Sequence, residues 1–156
     1  MTIEAPYSKF KLKNYVIYIV VCIAAGAWLA YDGYFNEKFI EKNTQNYGTE
    51  EAVASGTLAF NQKSPFVLAV LAVGFAIRWF TVKDRKIVAD DDAVTIADKT
   101  IAYDSIEKIN KTHFDSKGFF VITYKDADSS ECDLKFNDKY YDNLSAILDQ
   151  IVAKIS

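Results

Sequence analysis

The sequence is poor in the side chains that most often carry chemistry. It has one histidine, His113, and two cysteines, Cys22 and Cys132. A single histidine excludes histidine-rich metal sites and paired-histidine motifs. His113 is left as a lone base with no nucleophile motif beside it. Two cysteines cannot build a disulfide framework, and there is no CxxC pair. Six glycines and two prolines are present, yet none belongs to a Gly-rich phosphate loop or a GxSxG elbow. An excess of positive charge is missing too. Eighteen Lys and Arg face 21 Asp and Glu, which argues against the basic face that nucleic acid requires. Asp32, Glu37, Glu41, Glu50 and Glu51 lack the alternating spacing of a calcium loop. These absences predict no catalytic residue, no metal and no cofactor, so the chain reads as a non-enzyme.

Long apolar runs, by contrast, are present. Asn14–Tyr31 (NYVIYIVVCIAAGAWLAY) carries no charge over its length. A bilayer core takes roughly 20 apolar residues of helix to cross. The run is therefore read as transmembrane helix 1, residues 14–31, with Trp28 and Tyr31 at the lipid–water interface. The rival reading is a cleaved signal peptide with Ala25-Gly26-Ala27 at the cut. The run exceeds an ordinary h-region and ends in aromatic anchors. The second run gives transmembrane helix 2, residues 64–82. Pro65 suits its first turn, Phe66–Ile77 is apolar, and Arg78 extends its head toward the interface.

Lys9, Lys11 and Lys13 precede the first run, and Lys83, Arg85 and Lys86 follow the second. Basic flanks stay cytoplasmic. Residues 1–13 thus read as a cytoplasmic arm, residues 32–63 as an extracytoplasmic loop, and both termini as cytoplasmic. Within the loop, Asn36–Asn46 has helical character, and Glu50–Phe60 is read as a second short helix. Cys22, Gly26 and Ala30 recur every four residues, a small-side-chain face for helix packing that Ala72 and Ala76 would meet. Arg78, Trp79, Lys83, Arg85 and Lys86 form a candidate set for anchoring at lipid headgroups, where each base is worth about 1 kcal/mol.

From Arg85 the pattern changes to period two. Ile87–Ala89, Val94–Ile96, Ile101–Tyr103 and Ile106–Phe114 read as strands, with a bulge where Ile106 and Ile109 break alternation. Asp90–Asp92, Ser116–Gly118 and Ala127–Ser130 read as turns. Phe119–Tyr124 (FFVITY) is the strongest strand signal, and Cys132, Leu134 and Phe136 alternate after it. Asn137 then reads as the N-cap of a helix carrying the apolar stripe Tyr140, Tyr141, Leu144, Ile147, Leu148, Ile151, Val152 and Ile155. Residues 83–156 are therefore a small α+β domain of about six strands, with an amphipathic helix covering the sheet.

The segment Ile101-Ala102-Tyr103-Asp104-Ser105-Ile106-Glu107-Lys108-Ile109 resembles a hydrophobic-x-Tyr-acidic-x-Ile-x-x-Ile segment of bacterial pleckstrin-homology-like (PH-like) domains in small membrane proteins. Phe119–Tyr124 and the closing helix sit where that family has them. The resemblance covers roughly the last half of the chain. It implies a bent antiparallel barrel closed by a C-terminal helix, and a binding or assembly role without a reaction. The expectation is a multi-pass scaffold of the bacterial inner membrane, engaging an unidentified membrane or cytoplasmic protein as well as the bilayer. A homo-oligomer is compatible with this reading. The alternatives are a sensor of anionic lipid and an accessory subunit of a larger membrane complex.

Overall fold

The computed structural model describes residues 2–126, 128 and 130–155. In chain order the elements are β1 (Ile3–Pro6), α1 (Lys9–Tyr34), α2 (Glu37–Lys42), β2 (Thr44–Gln45), β3 (Val53–Ala54), α3 (Gly56–Val82), β4 (Lys86–Ala89), β5 (Ala93–Ile96), β6 (Lys99–Ala102), a 3-10 turn (Tyr103–Ser105), β7 (Ile106–Asn110), α4 (Phe114–Lys117), β8 (Phe119–Lys125), β9 (Glu131–Asn137) and α5 (Leu144–Ile155). Two compact units result. One is residues 13–80; the other joins residues 1–12 to residues 81–156.

The helical unit follows the apolar runs but overshoots them. α1 and α3 span 26 and 27 residues, about 40 Å each at 1.5 Å per residue. Both are long and apolar enough to cross a membrane. α1 ends where Phe35 N and Asn36 N both donate to Tyr31 O. The Asn36 side chain then caps α2 by accepting from Phe39 N. The expected short helix over residues 50–60 is not a separate element: residues 56–60 are the start of α3, and the residues before them are not helical. Val53–Ala54 pairs with Thr44–Gln45 instead, and Ser55 caps α3 by accepting from Leu58 N at 3.2 Å. Pro65 consequently lies inside α3 rather than in its first turn. An interior proline is tolerated in helices of this class because neighbouring groups re-satisfy the freed carbonyl.

The second unit is a sheet-and-helix domain, and its first strand comes from the far N-terminus. β1 pairs antiparallel with β4, Ile3 opposite Ala89 and Pro6 opposite Lys86. Residues 3–6, expected to belong to a separate arm, are thus an edge strand that puts Ala5 into the core. The sheet order is β1-β4-β5-β6, with a second sheet β7-β8-β9. That makes seven strands in this unit among the described residues, one more than the sequence pattern gave. These are two open sheets; the closed barrel implied by the resemblance is not formed. A bulge interrupts β7 between Ile106 and Lys108, where alternation breaks. In the β8–β9 turn, Ala127 and Ser129 lie outside the described residues, and Asp126 N donates to Ser130 O.

Period two explains the interior. Phe120, Ile122 and Tyr124 of β8 point inward, and Phe120 stacks on its cross-strand partner Phe136 at 4.9 Å. Ile87, Val94 and Ile101 of the first sheet and Ile147 and Ile151 of α5 complete the core. Each such side chain is worth about 1.5–3 kcal/mol on burial. Tyr103 keeps its inward place although the chain has already left β6. Its hydroxyl donates to Asp90 O at 3.0 Å, and burial pushes its pKa up to about 12.

The final helix starts at Leu144, later than the Asn137 cap predicted. Residues 140–142 are held by the N-terminus instead. Ser8 N donates to Tyr140 O, Asp142 N donates to Pro6 O, and Tyr7 bridges Tyr141. Backbone committed to these partners cannot close helical turns.

Candidate functional site

Among the described residues no cluster of His, Cys, Asp or Glu could hold a metal. His113 precedes the single turn α4 and rests against Phe119, with centroids 5.3 Å apart. Cys132 is half-buried on β9 and packs on the core. The acidic turn is used structurally. Asp90 accepts from Asp92 N and Ala93 N, which holds its carboxyl below the usual range. Asp91 pairs with Lys154 at 3.0 Å, and Gln150 donates to Asp90 O, fastening α5 to this turn.

The small-residue positions gather in the helical unit. Cys22, Gly26 and Ala30 line one apolar groove with Pro65 and Ala69. Gly26 is buried, and a methyl added there would stand 3.7 Å from Leu68 Cβ. Ala72 is buried and Ala76 half-buried. The closest approach lies elsewhere, at Gly33, where an added Cβ would come within 2.9 Å of the Asn61 carbonyl. Gln62 Nε2 donates to Gly33 O, and Tyr34 hydroxyl donates to Gln62 O at 2.8 Å. The signal for Gly33 was in the sequence. It lies seven residues, two helical turns, beyond Gly26, but past the end assigned to the run.

The basic anchoring positions meet different fates. Arg78 is exposed, and Trp79 is half-buried with Phe80 edge-on at 5.0 Å. Lys83 lies 3.8 Å from Asp84. Arg85 Nε donates to Thr81 O, closing the end of α3. Lys86 crosses the β1–β4 ladder to Glu4. Lys83, Arg85 and Lys86 thus each have a partner within the domain.

A junction that sequence reasoning missed joins the chain's two passages out of the domain. Tyr7 N donates to Arg85 O at 2.8 Å, so the residues leading into α1 and those leaving α3 are hydrogen-bonded neighbours. Lys9, the first residue of α1, donates its N–H to Asp142 Oδ2 at 3.0 Å. A carboxylate 133 positions away caps the helix, where negative charge also complements the helix dipole. No local pattern announces such a contact.

Comparison with protein-family models, with curated proteins and with solved structures gives no match. The functional reading therefore rests on the chain's own residues.

Proposed function

We propose that this chain is a membrane-anchored, non-enzymatic binding protein of the bacterial inner membrane. α1 and α3 form a two-span hairpin, both termini are cytoplasmic, and the domain is a PH-like module that docks another protein. The observation that carries the reading is the β1–β4 pairing. The strand before the first apolar helix and the strand after the second belong to one sheet, so they must share a side of any membrane the helices cross. An even number of spans satisfies that requirement. The basic flanks favour the cytoplasmic side. Loss of α1 as a signal peptide would carry β1 away from β4, so the pairing also favours its retention.

Four antiparallel strands, then three, then one helix supports the PH-like assignment. So does the motif segment, whose Ile101, Tyr103 and Ile106 are core residues. A binding role is supported by the edge strands β6, β7 and β9, where another strand can add. The β1 edge is already occupied, with the Asn143 side chain donating to Glu4 O and Asp142 N to Pro6 O.

The test is in-membrane cross-linking of the full chain followed by mass spectrometry. Cross-links from Lys108, Lys111 or Lys135 of the domain to a second protein are expected. A chain that yields none, and migrates alone after mild extraction, would refute the docking role.

A further inference from the structure

Only three large apolar residues of the domain are strongly exposed among those described: Phe10 at 69 %, Tyr140 at 47 % and Ile155 at 37 %. Phe10 lies in the first turn of α1, and Tyr140 is tied to the residues on either side of it. Ser8 N donates to Tyr140 O, which pins the Tyr140 loop to the mouth of that helix. Lys11 Nζ stands 5.8 Å from the Tyr140 ring centroid, within cation–π range. Lys9 and Lys139 flank the pair and are exposed. Among the described residues, no carboxylate forms an ion pair with Lys9, Lys11 or Lys139, whereas Lys83 and Lys86 have Asp84 and Glu4. Asp142, the acid close by, has one carboxylate oxygen engaged by the Lys9 backbone N–H. The rest of the domain is acidic: residues 83–156 carry 11 bases and 15 acids. A cationic patch beside an exposed Phe and Tyr therefore lies where the chain turns into an apolar helix.

We infer that Lys9, Lys11, Lys139, Phe10 and Tyr140 form a binding site for an anionic phospholipid headgroup. The occupant is a lipid because Phe10 and Tyr140 offer apolar surface beside the charges, as interface aromatics do. Free phosphate would leave that surface exposed to water. The inference rests on the membrane-anchored reading. It moves the lipid contact from the bases after α3 to those before α1, because the former already have partners.

The experiment is native mass spectrometry of the full chain in detergent, titrated with dioleoyl phosphatidylglycerol or dioleoyl phosphatidylcholine. Preferential retention of the glycerol lipid is expected. K9Q/K11Q should reduce that preference about fivefold for each charge removed, and Y140S should weaken both lipids alike. K83Q/R85Q should keep the preference. Thermal unfolding of each variant in the same detergent confirms that it is folded. Equal retention of the two lipids by the wild-type chain would overturn the site. So would a preference that survives K9Q/K11Q and disappears in K83Q/R85Q, or displacement of the lipid by inorganic phosphate. Alkaline extraction of native membranes separates the two failures, since a chain that washes off has lost its anchor as well as its lipid site.

Discussion

In the helical unit Trp28 and Val70 are each 72 % exposed, while in the domain Ile87, Phe120 and Ile151 are fully buried. The two regions draw on similar apolar residues and place them oppositely. α1 and α3 are apolar around most of their circumference, and few of their side chains are covered. A helix of that kind is suited to lipid, where small residues mediate contact with a neighbour. The domain alternates apolar and polar along each strand, so that one face is removed from water. Their sequence order is the second lesson. The domain is interrupted after its first strand, and the whole helical hairpin occupies what would otherwise be the turn between β1 and β4.

The largest expected effect comes from breaking that arrangement. A chain of residues 84–156 alone lacks β1, leaving the β4 edge open and the places of Ala5 and Tyr7 in the core empty. A domain of this size has only about 3–5 kcal/mol of stability to lose, so no cooperative unfolding transition is expected. Replacing residues 9–83 by a two-residue Asn-Gly turn should have the opposite result. Tyr7 and Arg85 are already hydrogen-bonded, a geometry that a tight hairpin turn can close. That excised chain should be soluble without detergent and should melt in one step by circular dichroism. Equal melting temperatures for the two chains would mean that β1 is dispensable.

Next in size is a matched pair of truncations. Phe120→Ala removes the buried ring stacked on its cross-strand partner Phe136. It should cost about 3–5 kcal/mol in chemical denaturation of the excised domain. Val70→Ala, at an exposed position of α3, should change the unfolding free energy of the full chain in detergent by less than about 0.5 kcal/mol. A large loss at Val70 would show that this face is covered by protein and would weaken the contrast between the regions.

Much of this organisation was legible from residue patterns. Uncharged runs marked α1 and α3, alternation marked β4 to β9, and the broken alternation at Ile106 marked the bulge. What was hidden is long-range. Ile3–Pro6 is a four-residue strand whose partner lies beyond both helices, and nothing local distinguishes it from a basic arm. The start of α5 was misplaced for the same reason. Tyr140 and Tyr141 continue the apolar stripe, but their backbone is claimed by Ser8 and Tyr7. Apolar spacing reports what a segment can bury, not which distant strand competes for it. The candidate site divides in the same way. Lys9 and Lys11 were visible as topology signals, whereas Lys139 was not, and the proximity of Lys11 to Tyr140 depends on that unseen pairing.

The finest test of the contrast lies within the helical unit, at two glycines. An alanine methyl at Gly33 would stand 2.9 Å from the carbonyl carbon and oxygen of Asn61 and 3.1 Å from Gln62 N. These are backbone atoms inside α3, which cannot turn aside as a side chain could. Gly33→Ala should therefore push the helices apart, strain the Gln62 and Tyr34 hydrogen bonds and cost about 1–3 kcal/mol. Gly74 has nothing within 4 Å of a built Cβ. Gly74→Ala should be neutral or gain up to about 1 kcal/mol from helix propensity. Denaturant titration of helicity in mixed micelles measures both. Opposite signs would show that this pair of helices is held by one close backbone contact near its loop end. Equal and small effects would mean that α1 and α3 do not rely on that contact, leaving the strand pairing in the domain as the main constraint on how the two are held.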